Sequence, residues 1–84
     1  MSTAVTLYTR VGCHLCDVVK DVLDRVREGR PFDLTTIDID TDPELVRLYG
    51  EEVPVVAISG RKAFKYRVDP AELCERLDRA EREG

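Results

Sequence analysis

The chain lacks any apolar run that approaches the ~20 residues needed to cross a bilayer. Its opening residues, "MSTAV", lack the basic segment and the following apolar segment of an export signal. It also lacks a basic stripe, because acidic and basic residues are interspersed along a chain of formal net charge −4. We therefore expect a cytoplasmic protein that binds neither membranes nor nucleic acid.

Cysteine and histidine are scarce, with three cysteines and one histidine in 84 residues. In a reducing compartment three cysteines are too few for a structural disulfide framework, which favours a catalytic or metal-binding role for a close pair. Cys13 and Cys16 form such a pair. A zinc site built on them would need two further ligands, and the remaining candidates are His14, inside the pair, and Cys74, which we expect to be a small buried core residue. Zinc or iron–sulfur binding is therefore an alternative, and we assign no metal ligand.

The residues that are present fit one globular domain over residues 1–84. Hydrophobic residues make up 43% of the chain and charged residues 36%, which is ordinary for a soluble domain. Two domains could not each bury a core in a chain of this length, because compact domains rarely have fewer than ~50 residues. We expect a single domain and a monomer.

The first half of the chain alternates between strand and helix patterns. "AVTLY" is rich in β-branched and aromatic residues, which predicts a strand. Apolar residues then recur at spacings of three and four, which predicts a helix face. The residues of this face are Leu15, Val18, Val19, Val22, Leu23 and Val26. Gly29, suited to a left-handed position, and Pro31 should end this helix, and "FDLTTIDID" is typical of the next strand.

The second half predicts two capped helices around a β-hairpin. Asp42-Pro43 and Asp69-Pro70 each place a capping acid before a proline, which marks the start of a short helix and of the final helix. Between them, "PVVAI" is an unbroken apolar run typical of a strand covered on both faces. "SGRK" then predicts a turn, and "AFKYRV" predicts a strand with one buried face. That face carries Phe64, Tyr66 and Val68.

The predicted order of elements is therefore βαβαββα, an α/β fold. Strands that alternate with helices imply a parallel pair in the first half, and the hairpin adds an antiparallel edge. We expect a mixed four-stranded sheet with helices on both faces.

Cys13 falls where the first strand gives way to the first helix. Its sulfur should lie near the unpaired N–H groups and the positive dipole end of that helix, which stabilise a thiolate and lower a thiol pKa from about 8.5 into the range ~3.5–7.5. Arg10 and His14 are neighbouring cationic candidates for the site. Cys16, one turn deeper, should be less exposed. Such a pair supports thiol–disulfide exchange, with Cys13 attacking a disulfide and Cys16 resolving the mixed intermediate.

The stretch "TLYTRVGCHLC" (Thr6–Cys16) and the later "EVPVV" resemble the glutaredoxins of the thioredoxin superfamily, above all the short bacterial glutaredoxin-like proteins. The resemblance covers nearly the whole chain and implies a thioredoxin-like, glutaredoxin-type three-layer fold and a disulfide oxidoreductase. It also implies that Val53-Pro54 is a cis bond opposite the dithiol, with the Val53 backbone free to pair with a bound peptide or thiol. Pro54 at the first position of a strand agrees with this, because no ladder N–H is lost there. Arg10 stands where many members carry a lysine.

Two departures from the family pattern bear on the partner. His14 and Leu15 occupy the middle of the motif, where dithiol glutaredoxins usually carry Pro-Tyr. Phe64 and Lys65 stand where the family has the Gly-Gly pair of its glutathione site, and a phenylalanine removes the room that glycine gives a close backbone approach. The resemblance therefore implies a protein disulfide or a glutathione mixed disulfide as substrate, with no tightly bound cofactor and glutathione as a candidate reductant. The alternative from another class is a non-catalytic module that docks a partner at the Val53-Pro54 groove.

Overall fold

In a computed structural model that describes residues 3–83, the chain folds in the predicted order βαβαββα. Met1 and Ser2, part of the segment in which we predict no export signal, and Gly84 lie outside the described residues. The elements are β1 (Ala4–Thr9), α1 (His14–Gly29), β2 (Asp33–Asp38), a short 3-10 helix (Ile39–Thr41), α2 (Pro43–Tyr49), β3 (Val55–Ile58), β4 (Arg61–Lys65) and α3 (Pro70–Glu83).

The four strands form one mixed sheet in the order β2-β1-β3-β4. β1 pairs with β2 in parallel, whereas β1 with β3 and β3 with β4 are antiparallel pairs. A parallel pair needs a crossover connection, which α1 provides, and the β3–β4 pair needs only a short turn. The predicted element order and mixed four-stranded sheet are confirmed.

β3 is buried along its whole length, as its unbroken apolar sequence predicts. Val56 and Ile58 belong to the main hydrophobic core, which they share with buried residues of α1 and α3. Because side chains alternate across a strand, Val55 and Ala57 face the opposite side of the sheet. α2 covers that second side, where the ring of Tyr49 lies 4.7 Å from the ring of Tyr8 in β1. Helices therefore cover both faces.

The buried stripe of α1 is narrower than the predicted apolar face. Cys16, Val19 and Leu23 are buried, whereas Leu15 and Val18 are 43% and 46% exposed. Val18 lies about 100° around the helix axis from Val19, which turns it away from the core. The prediction that both exposed residues belong to the core face is wrong, and they leave apolar surface at the start of the helix.

α1 ends at Gly29 without the left-handed glycine that we expected. Gly29 is the last helical residue, and Arg30 follows with an extended backbone and donates its N–H to the Val26 carbonyl at 2.9 Å. The physical reason is Pro31, because the residue before a proline is driven out of the helical region. The proline alone therefore stops the helix.

β2 is shorter than the predicted strand "FDLTTIDID", because the chain turns into the 3-10 helix after Asp38. The Asp38 carboxylate accepts the N–H of Asp40 at 2.9 Å and thereby caps that turn. Asp38 at the end of β2 thus acts as a local hydrogen-bond acceptor.

The hairpin is tighter than predicted, since Ser59 and Gly60 alone form the turn, with φ of 52° and 82°. Such a two-residue turn with positive φ matches the twist of the flanking strands. β4 begins at once and ends at Lys65, because Tyr66 has a φ of 67° and leaves the sheet. The prediction that Tyr66 shares a buried strand face is wrong, since 42% of the residue is exposed.

Both predicted helix caps are confirmed. The Asp42 carboxylate accepts the N–H of Glu44 at 2.9 Å at the start of α2, and the Asp69 carboxylate accepts the N–H of Ala71 at 2.8 Å at the start of α3. Within residues 3–83, no helix combines the length and the apolar character that crossing a bilayer requires.

Candidate active site

Cys13 is the N-cap residue of α1, where sequence analysis placed it. Its backbone is extended, and its Sγ accepts the N–H of Cys16 at 3.1 Å. Serine, threonine and aspartate usually fill this position, because a side-chain acceptor satisfies one of the free N–H groups of the first turn. A sulfur atom that takes this role lies at the positive end of the helix dipole, where negative charge is favoured.

The loop between β1 and α1 fixes this position of Cys13. Gly12 has a φ of 82°, a left-handed conformation that glycine adopts without strain. The Cys13 N–H donates to the Arg10 carbonyl at 3.2 Å, which closes the turn. Thr9, the last residue of β1, thus precedes the helix-capping Cys13 by four positions.

Cys13 and Cys16 form a disulfide, with their Cα atoms 5.3 Å apart. Cys16 is only 2% exposed, whereas Cys13 is partly exposed. An incoming thiol or disulfide therefore meets the sulfur of Cys13 first. Cys74 is a free thiol on α3, and the expectation that it is buried is wrong, since it is partly exposed.

Arg10 is held by an acidic partner. Its Nε and Nη2 donate to the Asp40 carboxylate at 2.9 to 3.2 Å, and its Nη1 donates to the Gly50 carbonyl at 3.3 Å. The hydrogen bond and the charge of Asp40 raise the pKa of Arg10 above its ordinary value. Arg10 is therefore paired with Asp40 in an ion pair. The assignment of Arg10 to the thiol-binding site stays a prediction.

The surface around Cys13 is partly apolar, a feature that sequence analysis missed. His14, the first residue of α1, is exposed, and its role in the site stays a prediction. Val11 is 85% exposed and Leu15 43% exposed, so exposed apolar residues stand two positions before and two positions after Cys13 in the chain. The helical spacing assigned Leu15 to the core, and a lone valine in a loop gives no signal in a single sequence.

Val53-Pro54 is a cis peptide bond, as the resemblance implies. The antiparallel register pairs Val55 with Tyr8, so the two preceding residues lie beside the end of β1, from which the Cys13 loop departs. The Val53 N–H donates to the Tyr49 carbonyl at 3.1 Å. The expectation that the Val53 backbone is free is therefore wrong for its N–H, and the place of Val53 and Pro54 in the thiol-binding site stays a prediction.

Side chains occupy the positions where the glutaredoxins have Gly-Gly. Phe64 pairs with Val56 in the sheet and packs against the main core, and the Arg76 guanidinium lies 5.8 Å from its ring. Lys65 is exposed, with its Nζ 5.6 Å from the ring of Tyr66. The backbone here therefore carries bulk on both sides of the strand.

No group of three or more histidine, cysteine, aspartate or glutamate side chains converges as a metal site within residues 3–83. Each of the three neighbouring aspartates has its own partner, because Asp38 and Asp42 cap turns and Asp40 pairs with Arg10. The donor set for zinc that sequence analysis kept as an alternative does not assemble within this part of the chain.

Comparison with known proteins agrees with this arrangement. The model of the family described as Glutaredoxin-like domain (DUF836) matches residues 4–78. An uncharacterized protein of Mycobacterium tuberculosis is 35% identical over 74 residues, which cover 82% of this chain and 76% of that protein.

Solved structures of other proteins have a similar fold. The solution structure of a protein from Nitrosomonas europaea is similar with a TM-score of 0.82 and 29% identity, over 92% of this chain and 93% of that one. The crystal structure of chloroplastic thioredoxin z is similar in fold alone, with a TM-score of 0.77 and 19% identity over 95% of this chain and 79% of that one. The chain therefore belongs to the glutaredoxin-like family and has a thioredoxin-like fold, and its Cys13–Cys16 pair supports a redox-type function.

Proposed function

We propose that the protein is a thiol–disulfide oxidoreductase with Cys13 as nucleophile and Cys16 as resolving thiol. The observation that carries the proposal is the bonded pair at the start of α1, with one sulfur partly exposed and the other buried. Only the outer sulfur is accessible to a partner, whereas the inner one is placed to attack the outer one.

The reduced protein begins the reaction. The Cys13 thiolate attacks one sulfur of a substrate disulfide, that S–S bond breaks, and the leaving thiolate takes a proton from water. Cys16 then loses its proton and attacks the Cys13 sulfur, which releases the second substrate thiol. Two electrons pass to the substrate and leave the Cys13–Cys16 disulfide, and two molecules of an external thiol such as glutathione reduce it again as they form their own disulfide.

The helix start supports the first step. Free N–H groups and the dipole of α1 favour the charged form of a sulfur at the N-cap, and the Cys16 N–H already points at Sγ at 3.1 Å. A thiolate is the reacting form in this exchange, so its fraction at neutral pH sets the rate of attack.

The surroundings favour a protein disulfide as substrate over glutathione alone. Val11 and Leu15 offer exposed apolar surface beside Cys13, which suits a polypeptide partner. At the other end of the site, Phe64 and Lys65 place side chains where glycine would admit a close backbone contact. Glutathione then serves as the reductant or as half of a mixed disulfide.

A trapping experiment tests the proposal. The Cys16→Ser variant keeps the nucleophile and removes the resolving thiol, so we expect it to accumulate a covalent adduct with disulfide-bonded protein in cell extract. The adduct should dissociate on addition of dithiothreitol and should appear in Cys16→Ser/Cys74→Ser but not in Cys13→Ser/Cys74→Ser.

Mass spectrometry of the adduct names the partner and separates a protein from glutathione. Partners that associate without a covalent bond, equally in the variant without Cys13, would instead support the non-catalytic docking module and contradict the exchange mechanism.

A further inference from the structure

Tyr66 has a backbone conformation that is costly for a bulky residue. Its φ is 67°, and the Arg67 N–H donates to the Lys65 carbonyl at 2.8 Å, so the chain reverses in a three-residue turn centred on a tyrosine. Left-handed turns of this kind are rare and strained for residues other than glycine. A glycine would adopt this turn more easily, so contacts of the tyrosine outside the turn must favour it here.

Tyr66 forms two hydrogen bonds to the segment that leads into β3. Its backbone N–H donates to the Pro54 carbonyl at 2.8 Å, and its phenolic hydroxyl donates to the Glu51 carbonyl at 3.0 Å. The two hydrogen bonds of Tyr66 thus fall on either side of Val53, at Glu51 and at Pro54.

The same segment is held from its other side by α2. The Tyr49 carbonyl accepts the N–H of Glu52 at 2.9 Å and the N–H of Val53 at 3.1 Å. Lys62 of β4 pairs with Glu52 at 2.5 Å, and this hydrogen bond lowers the pKa of Glu52 below its ordinary value. Residues 51–54 are therefore fixed between the end of α2 and Tyr66.

We infer that Tyr66 is a positioning residue that sets where Val53-Pro54 lies beside the Cys13 loop, and hence how tightly a partner thiol or disulfide binds there. The inference rests on the proposed function for its catalytic consequence. Tyr66 acts through the backbone of residues 51–54, to which both of these hydrogen bonds run. Its loss should therefore weaken binding and leave the ionisation of Cys13 unchanged.

The Tyr66→Phe variant tests this inference, because it removes the hydroxyl and keeps the ring. With insulin as the disulfide substrate and dithiothreitol as the reductant, we expect KM to rise about three- to ten-fold, the range for loss of one hydrogen bond at a partly exposed site. The kcat and the rate of Cys13 alkylation should stay near wild type. Amide hydrogen exchange should become faster at Glu52 and Val53 and stay unchanged at Leu7 in β1.

Arg30→Gln is the matched control, since Arg30 also donates from its side chain to a backbone carbonyl, that of Cys74 at 3.1 Å, at the far end of α1. It should lower stability and leave KM as in wild type. An unchanged KM and unchanged exchange at Val53 in Tyr66→Phe would overturn the inference, as would a general loss of protection that includes Leu7. If the wild type fails to reduce insulin, the proposed function fails, and the exchange measurement alone decides the positioning by Tyr66.

Discussion

At the scale of single residues, Arg10 is a basic side chain near Cys13 in the sequence that is already paired with an acidic partner. It follows β1 and precedes Cys13 by three positions, yet its guanidinium points at Asp40 and at the Gly50 carbonyl. A cation that is already paired with a carboxylate stabilises a nearby thiolate less than a free one does. Our prediction that Arg10 favours the Cys13 thiolate therefore implies a stronger effect once the Asp40 carboxylate is removed.

Replacing Asp40 should release that charge. In reduced Asp40→Asn we expect Cys13 to react with iodoacetamide about two- to five-fold faster at pH 6, because the unpaired guanidinium favours the thiolate. The rate is measured by mass spectrometry of the alkylated protein.

Asp24→Asn is the control, since it removes an exposed ion pair with Lys20 further along α1 and should leave the rate unchanged. A rate in Asp40→Asn equal to or below that of the control would show that Arg10 does not act on the sulfur.

Features set by neighbouring residues could be predicted from the sequence, whereas contacts between distant residues could not. The position of Cys13 at a helix start followed from its immediate neighbours, because a strand pattern ends and a helix pattern begins around it. The pairing of Arg10 with Asp40 joins residues 30 positions apart, and it exists only because β1 and β2 lie side by side in parallel. One sequence contains no signal for such a pair.

At the scale of elements, α1 is the platform on which the cysteine pair is held. Its buried side runs through Cys16, Val19 and Leu23, and Leu23 has no exposed surface. Because the first turn carries both sulfur atoms, any loosening of this helix against the sheet also moves the site.

The Leu23→Ala variant measures how strongly the helix is anchored. Removing a fully buried leucine should lower the free energy of unfolding by about 2–5 kcal/mol, which combines lost transfer energy with a cavity. Urea unfolding of the oxidised protein gives the value. Val18 is 46% exposed, so Val18→Ala should lower the free energy of unfolding by about 1 kcal/mol at most. Equal losses in the two variants would contradict the assigned buried stripe.

The elements themselves could be predicted better than their ends. Residue spacings, the apolar run "PVVAI" and the Asp-Pro pairs together indicated the four strands and the three α-helices, whereas the 3-10 helix was missed. The ends depend on competition that spacing does not contain. Tyr66 continues the strand pattern in the sequence, but its positive φ of 67° turns the chain out of the sheet after Lys65.

At the scale of the whole molecule, the topology collects separate segments at one end of the sheet. The loop after β1 brings Cys13 there, and the antiparallel pairing of β1 with β3 brings Val53-Pro54 beside the end of β1. The end of α2 reaches the same place through the Gly50 carbonyl, which accepts from Arg10. A single sequence indicated these segments one by one, and the sheet order is what places them together.

The proposed mechanism requires that the start of α1 stabilises the Cys13 thiolate near neutral pH. The most direct test is the pH dependence of iodoacetamide alkylation in reduced Cys16→Ser/Cys74→Ser protein, in which Cys13 is the remaining cysteine. We expect a half-maximal rate within about pH 3.5–7.5, as for thiols at helix N-termini. A profile with its midpoint at about 8.5, the value of an unperturbed thiol, would contradict it.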